Sequence, residues 1–179
     1  MGLKIPLVYN TNSYDAIRTL KELDGIIDIY LPDLKYASDT WANKLSEAID
    51  YVKHVRNAIK EMYHQVGELI VDNSGIAKRG LIVRHLILPN NLAGSRESLT
   101  WLAKEVSPRV TVSLMAQYHP AHRAHQSPLL SRHISISEYE EALKVMEEVG
   151  LEEGWAQDIA SHKHYLPDFE HRQHPFGID

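Results

Sequence analysis

The sequence predicts an α/β fold, a partial (β/α) barrel of about four parallel strands with crossover helices and a small hairpin insertion. Two observations carry that prediction. First, short apolar, β-prone runs alternate with amphipathic segments of helical period along the 179 residues, the pattern of parallel strands joined by helices. Second, four of those runs, in residues 5–13, 26–36, 80–90 and 110–120, end abruptly in polar or charged residues, most with a proline at or near the exit. In folds of this kind the C-terminal strand ends are where ligands gather over a rigid core. Four units make half a barrel. The expected organisation is one such domain over residues 1–157 and a polar tail over 158–179 containing His162, His164, His171 and His174.

Taken in order, the first strand is expected over residues 4–10 and the first helix over 13–23. Ser13 is the candidate N-cap, and Ala16, Ile17, Leu20 and Leu23 recur at helical spacing. Asp24-Gly25 turns the chain into a second strand over 26–31. From 39 to 66 the spacing predicts one long helix, with Leu45, Ala48, Ile49, Val52, Val55, Ile59, Met62 and Val66 on a broad face and Gly67 as its stop. The turn cluster Asp72-Asn73-Ser74-Gly75, flanked by 68–71 and 76–79, predicts a hairpin placed before the third strand at 81–88. Gly94-Ser95 opens the next helix, and Pro108 closes it before the fourth strand at 110–115. A long loop reaches residue 136, after which the run from Ser137 to Glu140 matches a capping box and starts the last helix, stopped by Gly150.

Composition narrows the function classes. A net charge of −5 and a pI near 6.1 leave no basic stripe for nucleic acid. No apolar run approaches the roughly 18 to 20 residues of a membrane span, and the first six residues are too short and polar for a signal peptide, so a cytoplasmic location is expected. The absence of cysteine excludes disulfides, thiol nucleophiles and any thiolate-held zinc or iron–sulfur site built by this chain alone. A half barrel exposes two sheet edges, so a second polypeptide or a second copy is the expected partner.

The strand exits hold the candidate site residues. Asp33 and Lys35 share one side-chain parity on an extended segment and can face one cavity; a solvated ion pair is the plainer alternative. Asn10, Thr11, Asn12 and Ser13 offer amide and hydroxyl oxygens suited to hard cations, carboxylates or ribose hydroxyls, or to capping a helix. Arg84 sits within an apolar strand and must meet a carboxylate, a ligand or water. His85 has the opposite parity and reads as a satisfied interface histidine. His119, His122 and His125 have a spacing that can bind zinc or nickel, with His119 alone at the strand exit the stronger candidate.

Thr11-Asn12, Asp33-Leu34-Lys35, Arg84 followed by Pro89, and Tyr118-His119, four motifs in order at four strand exits, together resemble the second half of a radical S-adenosylmethionine (SAM) enzyme. The resemblance is to the activating enzymes of pyruvate formate-lyase and related glycyl-radical enzymes, and it covers about residues 4–157. It implies a barrel holding SAM against a [4Fe–4S] cluster. Lys35, Arg84 and His119 would then surround the cofactor, with Thr11 and Asn12 beside them, and Asn10, Thr11 and Asp33 would hold a monovalent cation next to its carboxylate. The family's cluster-binding cysteine loop and glycine-rich strand precede the matched region. Ser13 replaces the usual glycine, and Asn10 stands where related enzymes carry an acid.

The expectation is therefore the C-terminal part of a radical SAM protein, contributing the SAM pocket and no catalytic residue of its own. It would be inactive alone and completed by a cysteine-bearing half, with a protein substrate in the family's manner. Two alternatives stand beside it: a non-catalytic α/β module that self-associates, and a lysine-dependent aldolase using Lys35.

Overall fold

The structure, a computed structural model, describes residues 4–159. The expected histidine-rich tail beyond 159 lies outside the described residues. The strands are β1 (Val8–Thr11), β2 (Ile29–Pro32), β3 (Ile70–Val71), β4 (Ala77–Leu86), β5 (Thr111–Met115) and β6 (Gly154–Ala156). Between them run helices α1 (Ile17–Glu22), α2 (Asp39–Ser46), α3 (Tyr51–Val66), α4 (Ser95–Glu105) and α5 (Ile136–Glu148). Strands β1, β2, β4, β5 and β6 lie side by side in that order, every pair parallel, while β3 pairs antiparallel with the start of β4. This is the predicted partial barrel with five parallel strands instead of four.

Strand alternation divides the sheet into two faces. Tyr30, Leu81, Val83 and Val112 point to one of them and pack with Leu20 of α1, Val55, Ile59 and Met62 of α3, Leu99 and Leu102 of α4 and Val145 of α5. Each such fully buried large apolar side chain contributes on the order of 2 kcal/mol. The register continues a second row across the other face, Asp33 to Arg84 to Ser113 to Trp155, through the Asp33–Arg84 bridge and the β4–β5 and β5–β6 pairings.

Several local expectations are corrected. The single helix over 39–66 is two, because Glu47 and Asp50 both adopt the left-handed conformation. Ala48 N donates back to Ala42 O at 3.4 Å, closing α2 in the manner of a Schellman turn. The Tyr14 hydroxyl donates to Ile49 O in the connecting turn, a tertiary contact that helical periodicity does not report. Ser13 caps nothing. Its φ of 67° places it before α1, whose N-cap is Ala16, and its buried hydroxyl donates to Asp33 O at 2.7 Å. The capping box is shifted by two residues to Ser135 and Glu138, where each side chain accepts from the other's backbone N–H.

The expected hairpin is present, β3 pairing antiparallel with the start of β4, and its second arm runs on as that strand. Gly80 makes that possible: at φ 130° a Cβ there would lie 2.5 Å from Glu68 O. The fifth parallel strand, β6, has only three residues and docks on β5 through Gly154, where a Cβ would meet Val112 O at 2.2 Å. A three-residue strand led by glycine carries no alternation to read.

Candidate functional site

At the C-terminal tips of β1, β2 and β4 the structure assembles four of the predicted residues. Arg84 reaches from β4 to Asp33 just beyond β2, with Nε donating to Oδ1 at 2.8 Å and Nη2 lying 2.6 Å from the same oxygen. Nη2 also donates to Asn10 Oδ1 on β1 at 2.7 Å. Lys35 Nζ approaches the second carboxylate oxygen at 3.4 Å. The side chains are 14% exposed for Asp33, 28% for Arg84 and 43% for Lys35, so the acid lies deepest and the cations line the opening. Within this trio two cations share one carboxylate, an excess of one positive charge, with the Asp15 carboxylate on Thr11 and Glu47 in the cleft beside Lys35 as the neighbouring acids. The ion pair, the plainer reading of Asp33 and Lys35, is present, with Arg84 as the nearer partner of the acid.

The backbone of Asp33-Leu34-Lys35 is held at every hydrogen-bonding group named in the motif up to Lys35 N. Asp33 N donates to Thr11 O at 2.9 Å, and Leu34 N donates to Arg84 O at 2.8 Å. Asp33 O accepts from Ser13 Oγ, Leu34 O accepts from His85 Nδ1 at 2.7 Å, and Lys35 N donates to the Tyr51 hydroxyl at 2.8 Å. Because a carbonyl only accepts, His85 carries its proton on Nδ1, and Nε2 accepts from Ser95 Oγ at 2.9 Å. Burial of this ring holds its pKa down to about 4, against a smaller upward pull from the Leu34 carbonyl. His85 is thus the neutral, satisfied interface histidine expected from its parity.

Thr11 and Asn12 sit at the same end with other partners. Thr11 Oγ1 donates to Asp15 Oδ2 at 2.5 Å and accepts from Ser13 N, while Asn12 Oδ1 accepts from Tyr14 N. Asp15 also accepts from the Tyr9 hydroxyl, whose pKa is raised by burial first and by Asp15 second. Asp15, four residues after Thr11, is a site residue that sequence reasoning missed, hidden because an acid before a helix reads as a capping group. A cleft of about 210 Å³ opens beside Lys35, lined by Asn12, Tyr14, Tyr36, Glu47 and Tyr51 among others.

His119 follows β5, and its ring lies 4.9 Å from that of His133 and 6.5 Å from that of His125. His133, another residue the sequence did not single out, donates from Nδ1 to Tyr118 O at 2.9 Å. The run from His122 to Gln126 forms a short 3-10 helix. Among the described residues no group of three or more histidine, aspartate or glutamate side chains is gathered as a metal site, so His119, His122 and His125 do not converge on one point. Among the described residues no helix is long and apolar enough to cross a membrane.

No family model matches the sequence. An uncharacterised protein of Methanocaldococcus jannaschii is 28% identical over 148 residues, which are 83% of this chain and 40% of that protein. A radical SAM methyltransferase from Sphaerobacter thermophilus superposes with a TM-score of 0.56 at 12% identity, over 84% of this chain and 39% of its own. A domain of a pyruvate-formate lyase-activating enzyme from Bacteroides vulgatus superposes with a TM-score of 0.56 at 14% identity, over 83% of this chain and 79% of its own. The chain therefore spans well under half the length of the first two. The likeness establishes the fold, a parallel-strand α/β sheet with crossover helices matching part of a radical SAM barrel.

Proposed function

We propose that this chain is the SAM-binding part of a radical SAM protein related to the activating enzymes of glycyl-radical enzymes, with the iron–sulfur cluster held on other polypeptide. The observation that carries the reading is the Asp33, Lys35, Arg84 cluster, one partly buried carboxylate facing two cations at the strand tips. The excess positive charge of this trio suits the carboxylate of SAM. Among the described residues nothing accepts from Arg84 Nη1, so that amine and Lys35 Nζ are the donors available to it. Asn12 and Thr11 flank the ligand from β1, and His119 approaches from the exit of β5.

Asn10, Thr11 and Asp33 are the proposed oxygen donors for a monovalent cation beside that carboxylate. Arg84 already engages Asn10 and Asp33, so a cation would take them as the guanidinium turns to the ligand. When bound, SAM supplies a sulfonium that is cleaved by an electron from a cluster. The chain does not fit the cluster itself, since it has no cysteine thiolate to offer. A cysteine-bearing polypeptide is the proposed partner, and a protein substrate would be chosen together with it. A Lys35 Schiff base is less well served, because Lys35 is 43% exposed beside a carboxylate instead of lying in an apolar pocket.

Calorimetric titration of the purified chain with SAM tests the reading. Saturable binding that weakens about tenfold in both Lys35→Met and Arg84→Met supports it, one such factor being about 1.4 kcal/mol. Unchanged affinity in both variants contradicts it.

Self-association is a second reading, favoured by one observation. Inner-strand residues of the face carrying Arg84 are covered, with Ile29 4%, Ile82 7% and Met115 9% exposed, while Val8 and Trp155 on the two edge strands are 51% and 48% exposed. Closure by a second copy would cover both. Sedimentation at micromolar concentration decides it, a monomer counting against closure by this chain.

A further inference from the structure

We infer that Ser13, Tyr51 and His85 are positioning residues for the cationic site, acting through the Asp33-Leu34-Lys35 backbone. The inference rests on the reading of that cluster as an anion-binding site. Three side chains from three separate places, the β1–α1 loop, α3 and β4, each end on a different backbone group of the motif: Ser13 on Asp33 O, His85 on Leu34 O and Tyr51 on Lys35 N. All three are buried, at 0%, 3% and 0% exposure for Ser13, Tyr51 and His85. Two of them break a local rule to get there. Ser13 takes a positive φ, and His85 is a fully buried histidine that follows Leu81 and Val83 on the face of β4 turned to the helices.

The physical need is specific. Lys35 follows the end of β2 with a long, flexible stem, and its ammonium is 3.4 Å from Asp33. Lys35 and Arg84 carry like charges that repel, and fixing their attachment points in advance spares a ligand the entropy of ordering them. Arg84 is anchored by the β4–β5 ladder. Lys35 has no ladder, and Tyr51 with its burial-raised pKa, which keeps the hydroxyl protonated, takes that place. His85 extends the support to α4 through Ser95, so the N-terminus of α4, β4 and the tip of β2 are joined by one neutral ring.

The test compares two probes on the full chain, SAM and 5′-methylthioadenosine, a neutral thioether that lacks the amino and carboxylate groups of the methionine arm and the sulfonium charge. Tyr51→Phe retains the ring and removes the oxygen that Lys35 N reaches. Positioning predicts that Tyr51→Phe weakens SAM about three- to tenfold and leaves methylthioadenosine within twofold, with circular dichroism unchanged. Equal weakening of both, or of neither, overturns it. Ser13→Ala is the second variant and should show the same selective loss should Tyr51→Phe fold poorly. A ligand-free readout separates this from the wider reading: the NMR signal of reductively ¹³C-methylated Lys35, identified by its loss in Lys35→Arg, should shift and broaden in Tyr51→Phe. If wild type binds neither probe while that signal changes, the SAM reading fails and the positioning stands. An unaltered Lys35 signal overturns the positioning by itself.

Discussion

Asp33 and Arg84 are joined twice, by a parallel backbone bridge between β2 and β4 and by a side-chain ion pair at 2.6 Å on the face away from the helices. The double link makes the acid a structural member of the sheet as well as the counter-charge of the site. Replacing Asp33 with Asn leaves Arg84 and Lys35 facing each other without a carboxylate. Urea unfolding should show a loss on the order of 1 to 3 kcal/mol, at the low end because both cations are partly solvated. A stability equal to wild type would show that the pair contributes nothing net.

His85 should impose a pH dependence on stability. In the unfolded chain the ring takes up a proton near pH 6.5, whereas the folded ring resists until about 4. The folded pKa is lowered, so the stability this ring contributes is complete above 6.5. It is lost as pH falls from 6.5 to about 4, at roughly 1 kcal/mol per pH unit, and levels off below. Subtracting the unfolding free energies of His85→Gln from those of wild type across pH 4 to 8 isolates the effect. A flat difference would rule it out.

Glu138 closes the capping box of α5, accepts from Asn90 N and is paired with Arg132, whose hydrogen bonds chiefly hold the Glu138 pKa down to about 2. Glu138→Gln should destabilise the chain by about 1 kcal/mol at neutral pH, the scale of a helix cap. The difference should shrink as pH falls from about 4.5 toward 2, because the carboxylate's advantage is present above its unfolded pKa and disappears once it is protonated. Thermal unfolding at pH 7 and pH 3 checks both parts.

Gly80→Ala is expected to be among the most damaging single changes, by about 2 kcal/mol or more, since both its φ of 130° and the 2.5 Å approach of Glu68 O forbid a side chain. Reduced soluble yield with a lowered unfolding midpoint is the expected result. Tolerance of alanine there would mean that β4 can release the hairpin from the sheet.

Arg84, Asp33 and Lys35 were legible in the sequence because charge at the end of an apolar strand has few innocent explanations, and strand parity already placed His85 on the opposite side. The break between α2 and α3 was not legible, because residues 47–50 keep an acceptable helical pattern and the turn is set by Tyr14 and the left-handed Glu47 and Asp50. Ser13 misled for a related reason: a serine before an apolar helical run has the local chemistry of a cap, and only the distant Asp33 carbonyl explains its place. Strand β6 and the roles of Asp15 and His133 depend on contacts between segments far apart in the chain or too short to show a period.

The central claim is that Lys35 and Arg84 together hold the carboxylate of SAM. Equilibrium dialysis of the wild-type chain against SAM and 5′-methylthioadenosine, repeated at 50 and 500 mM salt, tests it most directly. The account predicts at least a tenfold preference for SAM at low salt that narrows as salt rises. Equal affinity for the two compounds, or a preference indifferent to salt, would contradict it.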